Sequence, residues 1–183
     1  MNILRAIKTE ENQNYISPHE IYAELSDKYG DSLYKFCRSL TYSKEDADDL
    51  FQETFLKIFE QPLKIKESEN PKSFLFSTAL YIWKSWKRKY ARRNKLAPVE
   101  PINETNSNIA NENNIEDDYI ANEEIQTVRG LVEKLPEKYK IPLILYYTME
   151  MDISEIAETL KIPNGTVKSR LFTARKIIEK GLI

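Results

Sequence analysis

The stretch from Asp152 to Lys180 reads DISEIAETLKIPNGTVKSRLFTARKIIEK. Asp152 is suited to begin a helix, and Glu155 stands three residues later, which is an acidic version of the capping box. The residues that follow have the spacing of one buried helical stripe: Ile153, Ile156, Ala157 and Leu160. The first part of the stretch therefore predicts a short amphipathic helix.

A turn with the sequence KIPNG follows this helix at residues 161–165. Pro163 cannot donate a helical hydrogen bond, while Asn164 and Gly165 tolerate unusual backbone angles. A second helix is predicted from about Thr166. At 3.6 residues per turn its inner face consists of Val167, Leu171, Ala174 and Ile178. The pattern predicts a helix-turn-helix.

The outward face of the second helix mixes hydroxyls, bases and one aromatic ring. It consists of Ser169, Phe172, Thr173, Lys176 and Lys180, with Lys168 and Arg170 at its margins. A phenylalanine there is unfavourable in water, but on DNA it can contact a thymine methyl group while the bases contact phosphates or guanine edges. The pattern favours a helix that binds the major groove. The alternative is an ordinary helical hairpin with a solvated basic face.

Composition excludes several classes of protein. The 183 residues include one cysteine, one histidine and four glycines, so a disulfide framework, a multi-cysteine zinc site and a glycine-rich nucleotide loop are not expected. Cys37 lies in an apolar helical pattern and is predicted to be a buried thiol, and His19 is predicted to lie at the surface. We expect no catalysis, no cofactor and no metal. No apolar run is long enough for a membrane span and no export signal is evident, so a cytoplasmic protein is predicted.

The formal net charge of −2 conceals a segregation of charge. Residues 84–95 contain only bases among their charged residues, whereas residues 96–125 contain only acids. The acidic stretch is rich in Asn and Glu and lacks periodicity, which predicts a flexible linker. The predicted fold is all-α, with two small helical domains at residues 15–95 and 122–183, joined by an acidic linker at 96–121.

Within the N-terminal domain, a helix is predicted from about Glu45 to Glu60. Its core stripe consists of Ala47, Leu50, Phe51, Thr54 and Ile58. Its outer face consists of Asp48, Asp49, Gln52, Glu53, Leu56 and Phe59. An apolar centre with a polar rim is typical of a protein interface. The alternative, equally compatible with the periodicity, is that the preceding helix of the same domain covers Leu56 and Phe59.

A second long helix is predicted from about Lys72 to Arg93. Its inner face consists of Leu75, Ala79, Ile82, Trp86 and Tyr90. Its other face consists of Ser77, Tyr81, Lys84, Ser85, Arg88 and Arg92, with Leu80 and Lys87 to one side and Trp83 near the edge. An aromatic side chain among lysines and arginines is typical of a surface that binds the phosphates of a strand and stacks on its unpaired nucleotide bases. The alternative is a solvated charged face.

Three stretches together resemble a bacterial RNA polymerase sigma factor of the sigma-70 family, extracytoplasmic-function group. They are LYKFCRSLTYSKEDADDLFQETFLKIF at 33–59, SFLFSTALYIWKSWKRKYARR at 73–93 and the segment 131–178 that contains EIA and GTVKSR. The combination is specific, although GTVKS-like helices also occur in response-regulator effector domains. The resemblance implies a protein that binds the clamp helices and the flap of core RNA polymerase. It also implies that the protein directs promoter recognition and DNA melting.

The resemblance also implies roles for individual residues. Those that would contact the polymerase are Asp48, Asp49, Gln52, Glu53, Leu56 and Phe59. Those that would hold the −10 element and its melted strand are Tyr81, Lys84, Lys87, Arg88 and Arg92. Those on the helix that would bind duplex DNA at the −35 element are Thr166, Lys168, Ser169, Arg170, Phe172, Thr173 and Lys176. The sequence leaves open whether an anti-sigma factor is a further partner.

The chain departs from the family pattern in two places, one short run and one single residue. Where members commonly have Ile-Ala-Arg-Asn, the chain has Thr78, Ala79, Leu80 and Tyr81, and Thr173 stands where an arginine is common. Both affect the expected promoter sequence. Two other classes of function remain at this stage: a stand-alone helix-turn-helix regulator that uses only residues 122–183, and a helical interaction protein that never binds DNA.

Overall fold

The computed structural model describes residues 18–41, 43–60, 68–96 and 123–182, and these ranges contain seven α-helices and no β-strand. The predicted linker lies almost wholly outside the described residues. The helices are α1 (Pro18–Leu40), α2 (Lys44–Phe59), α3 (Pro71–Leu96), α4 (Glu123–Glu133), α5 (Glu137–Tyr147), α6 (Ile153–Leu160) and α7 (Asn164–Leu182). The all-α prediction is confirmed.

Helices α1, α2 and α3 pack around one apolar core. Each contributes side chains that are fully buried, among them Phe36 from α1, Leu50 from α2 and Phe76 from α3. The rings of Phe36 and Phe76 meet with centroids 5.1 Å apart. The single cysteine, Cys37, is fully buried here, as predicted. Burial of such large apolar side chains is the main stabilising contribution to a small helical unit.

The buried stripe of α2 largely follows the predicted one. Ala47, Leu50, Thr54 and Ile58 are buried, and the Thr54 hydroxyl donates a hydrogen bond to the carbonyl of Leu50 at 2.7 Å. Phe55 is also buried, because its ring packs against Tyr22 of α1 with centroids 4.9 Å apart. The periodicity did not indicate this burial.

The inner face predicted for α3 is correct over its first half and wrong at its end. Leu75, Ala79 and Ile82 are buried, together with Leu80 and Trp83. Tyr90, predicted to face inward, is 68% exposed. The physical reason is that residues 87–93 are all exposed, so the last turns of α3 have no neighbouring helix to cover the tyrosine.

Helices α4 to α7 form the second unit, in which α7 contacts α4, α5 and α6. Five consecutive residues of α5, Ile141 to Leu145, are buried, which makes α5 the central helix of this unit. The predicted inner stripe of α7 is confirmed, since Val167, Leu171 and Ala174 are buried and Ile178 packs against the core.

The helix-turn-helix is present, but its turn differs from the prediction. Helix α7 begins at Asn164, two residues before the predicted start, and neither Asn164 nor Gly165 has a positive φ. The left-handed residue is Lys161, with φ 54° and ψ 49°, and its N–H donates to carbonyls at the end of α6. An αL residue ends α6 by satisfying free carbonyls, and Pro163 then precedes the first turn of α7.

The capping box at the start of α6 is present as predicted. The backbone N–H of Glu155 donates to Oδ1 of Asp152 at 2.8 Å, and the N–H of Asp152 donates to Oε2 of Glu155 at 2.9 Å. Two N–H groups that no helical carbonyl can reach are thereby satisfied.

We expect Asp152→Ala to lower the free energy of unfolding by ~1 kcal/mol, because the N–H of Glu155 loses its acceptor. Urea unfolding of the full chain, followed by circular dichroism, measures the change. Asp152→Asn retains an acceptor oxygen and is expected to unfold close to the wild-type midpoint. A loss with Asp152→Asn equal to that with Asp152→Ala would contradict the capping role.

Candidate nucleic-acid and protein interfaces

The outward face of α7 has the predicted arrangement. Phe172 is 57% exposed, and the ammonium group of Lys176 lies 4.7 Å from the centre of its ring. Lys168 and Ser169 are also exposed, while Thr166, Arg170 and Thr173 are partly buried. Together these side chains form one surface of bases, hydroxyls and an aromatic ring, which has the composition of a major-groove interface.

The two hydroxyls at the centre of this face donate hydrogen bonds to their own helix. The Ser169 hydroxyl donates to the carbonyl of Thr166 at 3.0 Å, and the Thr173 hydroxyl donates to the carbonyl of Ser169 at 2.9 Å. A hydroxyl that donates in this way still has lone pairs, so each can accept a hydrogen bond from an amino group of a DNA base. Both can therefore contribute to sequence recognition.

The second basic face lies on α3. Tyr81 is 62% exposed, and Lys84, Lys87, Arg88 and Arg92 are exposed on the same helix. The ammonium group of Lys87 lies 4.8 Å from the ring of Trp83, which places that charge against an aromatic surface. The exposed Tyr90 adds a second aromatic side chain near the end of this basic helix. Exposed rings among bases suit the binding of unpaired nucleotides.

The outer face of α2 has an apolar centre and a polar margin. Leu56 is 66% exposed, and Asp49, Gln52 and Glu53 around it are exposed. Phe59 is instead partly covered by α1, since its ring meets His19 at 5.3 Å and Tyr22 at 6.2 Å. Each of the two interpretations left open by the sequence therefore holds for one residue. Leu56 is exposed and available to a partner, whereas Phe59 packs on α1. His19 itself is exposed, as predicted.

Two carboxylates of this face accept hydrogen bonds from aromatic side chains of other helices. The Tyr34 hydroxyl of α1 donates to Oδ1 of Asp48 at 2.7 Å, and Nε1 of Trp86 on α3 donates to Oε2 of Glu53 at 2.8 Å. The hydrogen bond to Asp48 is the largest cause of a raised pKa at Tyr34. Neither contact follows from the sequence pattern, because each joins residues that are far apart in sequence and periodicity describes only one helix at a time.

The start and middle of α3 contact the helix-turn-helix unit through polar groups. The hydroxyl of Ser73, which is buried, donates to the carbonyl of Glu155 at 3.1 Å. The Lys72 ammonium lies 3.9 Å from Oε2 of Glu155, and Lys87 forms an ion pair with Glu137 at the start of α5. Acids of the second unit therefore occupy positions beside the bases of α3.

A cavity of about 240 Å³ lies between the two units. Lys84 of α3 and Arg170 of α7 both line it, although the sequence assigned them to separate DNA-binding faces. Its remaining lining residues are Glu137, Lys138, Ile141, Pro142 and Leu160. In this arrangement the two basic faces are close together, and part of each is turned toward the other unit.

The described residues contain nothing that indicates an active site. Burial raises the pKa of the Cys37 thiol to about 12, so it stays protonated and unreactive near neutral pH. The same residues contain no cluster of three or more His, Cys, Asp or Glu side chains that could hold a metal ion. None of the helices in the described part of the chain is both long and apolar enough to span a bilayer.

Comparison with known proteins identifies both units. Residues 25–93 match the family model described as Sigma-70 region 2, and residues 125–178 match the one described as Sigma-70, region 4. The ECF RNA polymerase sigma factor SigW of Bacillus subtilis is 28% identical over 167 residues, which is 89% of each chain. The factor SigM of the same organism is 26% identical over 84% of this chain and 90% of its own.

Two solved structures share the fold. The sigma factor RpoE of Bartonella quintana, in complex with the anti-sigma factor NepR, superposes with a TM-score of 0.72 at 20% identity, over 89% of this chain and 97% of its own. CnrH, in complex with the cytosolic domain of CnrY, superposes with a TM-score of 0.58 at 19% identity, over 90% of this chain and 88% of its own.

We expect Glu137→Gln to increase the affinity of the free chain for single-stranded DNA by about twofold, because Lys87 loses its ion partner. The increase is small because the ion pair is exposed. Fluorescence anisotropy with a labelled oligonucleotide measures it. Glu133→Gln removes the same charge from a neighbouring exposed position. An equal gain with Glu133→Gln, or none with Glu137→Gln, would show that this ion pair does not compete with DNA.

Proposed function

Because the chain belongs to the sigma-70 family, it acts as a sigma factor in transcription initiation, and we propose how its surfaces divide that function. Residues 15–95 bind core RNA polymerase and the −10 element. Residues 122–183 bind the −35 element and the flap of the polymerase, and residues 96–121 connect the two as an acidic linker. The protein works in the cytoplasm, without a cofactor and without enzymatic activity of its own.

The polymerase-binding surface is the outer face of α2, formed by Asp48, Asp49, Gln52, Glu53, Leu56 and Phe59. Its support is the exposure of Leu56 inside a ring of acidic and amide groups, because an exposed leucine of this kind gains most from burial against a partner. The acidic rim fits a partner surface that carries bases. The proposed partner is the pair of clamp helices of core RNA polymerase.

The −10 surface is the basic face of α3, formed by Tyr81, Lys84, Lys87, Arg88 and Arg92. The exposure of Tyr81 among these bases is the single observation that carries the proposal. A regulator that used only its helix-turn-helix would have no use for this face. Lysine and arginine side chains that bind phosphates position the opened strand, and an aromatic ring stacks on an unpaired nucleotide base.

The −35 surface is the outward face of α7, formed by Thr166, Lys168, Ser169, Arg170, Phe172, Thr173 and Lys176. Support comes from the exposed Phe172 and from the hydroxyls of Ser169 and Thr173, which donate to their own helix and can still accept a hydrogen bond. Where an arginine is common in the family, Thr173 has a short hydroxyl acceptor and a methyl group. We therefore propose that it changes which −35 sequence is preferred.

Simultaneous binding of both elements requires the two units to separate. Lys84 and Arg170 line one cavity in the described arrangement, which places parts of the two proposed DNA-binding surfaces against each other. The contacts that must break include the packing of α3 on α6 and the exposed ion pair between Lys87 and Glu137. Pairs of this kind contribute little in water, so phosphates can replace the acids.

An anti-sigma factor is a further proposed partner. Among the structures that share the fold, RpoE was solved in complex with the anti-sigma factor NepR. A surface that binds core polymerase is exposed in the free chain, and a protein that covers it would prevent docking.

The decisive experiment is transcription by core polymerase, with and without this chain, from genomic fragments that contain candidate promoters. Template-specific transcripts that require the chain are expected. A stand-alone regulator would instead bind duplex DNA without polymerase and would not support initiation by core enzyme. A protein that never touches DNA would show no affinity for DNA and no dependence on salt.

We expect Tyr81→Ala to reduce promoter opening about tenfold, since stacking on one base is worth ~1–3 kcal/mol. Opening is measured by permanganate reactivity of unpaired thymines on a promoter that the holoenzyme transcribes. Tyr81→Phe keeps the ring and is expected to open the promoter at close to the wild-type level. Unchanged opening with Tyr81→Ala would exclude stacking by this residue.

A further inference from the structure

The residues of the proposed polymerase-binding face have a definite order around α2. At 3.6 residues per turn, Asp48 and Glu53 lie at the two edges of the face, and Gln52, Leu56 and Asp49 lie between them. The edge near Asp48 faces α1, and the edge near Glu53 faces α3. Each edge carboxylate is hydrogen-bonded to an aromatic donor from that neighbouring helix: Tyr34 on one side and Trp86 on the other.

Both donors are fixed by packing that does not involve the carboxylates. The Tyr34 ring meets the edge of Phe51 with centroids 5.7 Å apart, and Phe51 in turn meets Phe55 at 5.0 Å. Trp86 is partly buried and packs against the apolar core. The hydroxyl and the indole N–H therefore have defined positions before any partner binds.

Phenol and indole are neutral donors, and this determines what the hydrogen bonds leave available. A lysine or arginine at the same place would neutralise the carboxylate and compete with a basic partner. A neutral donor occupies one oxygen and leaves the charge and the second oxygen for the partner. It also restricts a flexible side chain in advance, which lowers the entropy lost on binding.

We propose that Tyr34 and Trp86 are positioning residues for polymerase binding, which hold Asp48 and Glu53 so that each presents a charged oxygen to a basic side chain of the partner. The inference rests on the proposed function, because it takes the outer face of α2 as the docking surface. Trp86 lies on α3, beside Lys87 of the DNA-binding face. The helix that holds the melted strand thus also orders one edge of the polymerase contact.

The first test measures the affinity of the full chain for core polymerase with Trp86→Phe and Tyr34→Phe, which remove the donor and retain an aromatic ring. Each is expected to weaken binding about threefold, as a lost hydrogen bond to a partly exposed carboxylate would. Tyr22→Phe is the matched control, because it removes a phenol hydroxyl from α1 near the same face without touching either carboxylate. Its affinity is expected to remain that of the wild type.

The second test asks whether Trp86 acts through Glu53. Trp86→Phe is combined with Glu53→Ala, and the double variant is expected to bind core polymerase as weakly as Glu53→Ala alone. Tyr34→Phe combined with Asp48→Ala is expected to behave in the same way. A purely structural role would instead weaken binding by the same factor in both backgrounds, and that result would overturn the proposal.

The outcomes separate the proposal from the function on which it rests. If the wild-type chain fails to bind core polymerase, the proposed function is wrong. If the wild-type chain binds but Glu53→Ala and Asp48→Ala do not weaken binding, the assignment of these two carboxylates to the docking surface is wrong together with the positioning role. If the alanine variants weaken binding and the two phenylalanine variants do not, the positioning role alone is wrong. Thermal unfolding of every variant shows whether the fold is retained.

Discussion

The burial of one stripe of α3 is the constraint on which the rest of the structure depends. Leu75, Ala79 and Ile82 pack into the core with α1 and α2, and this fixes the rotation of a helix of 26 residues about its axis. Once that rotation is fixed, Tyr81 and Lys84 must face outward and Trp86 must point toward α2. The buried stripe thereby sets the orientation of the basic face and of one edge of the docking face.

The same helix also explains why the two units meet. Its first turn lies beside α6, where Ser73 donates to the carbonyl of Glu155 and Lys72 approaches the side chain of that glutamate. Glu155 is at the same time a member of the capping box of α6. One residue therefore links the local order of the helix-turn-helix to the contact between the units, and a change there would affect both.

Local pattern was sufficient to predict what a single helix decides for itself. The buried stripes of α2 and α7, the capping box at Asp152 and the exposed Phe172 all follow from residue spacing and from the chemistry of helix ends. Features that depend on neighbouring elements were not predictable in this way. Tyr90 is exposed because no helix of the described residues packs on it. Phe59 is partly covered because His19 and Tyr22 of α1 pack on its ring.

The turn illustrates the same limit at short range. Asn164 and Gly165 are the residues that best tolerate positive φ, yet the chain places Lys161 in the left-handed region and starts α7 at Asn164. The N–H of Lys161 donates to carbonyls at the end of α6, and that gain offsets the strain of a non-glycine residue there. Propensity identifies where a turn occurs, and hydrogen bonding decides which residue makes it.

The formal net charge of −2 does not describe where the charged side chains lie on the surface. Many of the bases lie on α3 and α7, while α2 and the starts of α5 and α6 carry acids. Glu137 and Glu155 lie against Lys87 and Lys72 of α3. Because these pairs are partly or largely exposed, they are weak enough for DNA to displace. These pairs therefore place acids of the second unit beside bases of α3, while they contribute little to the stability of the contact between the units.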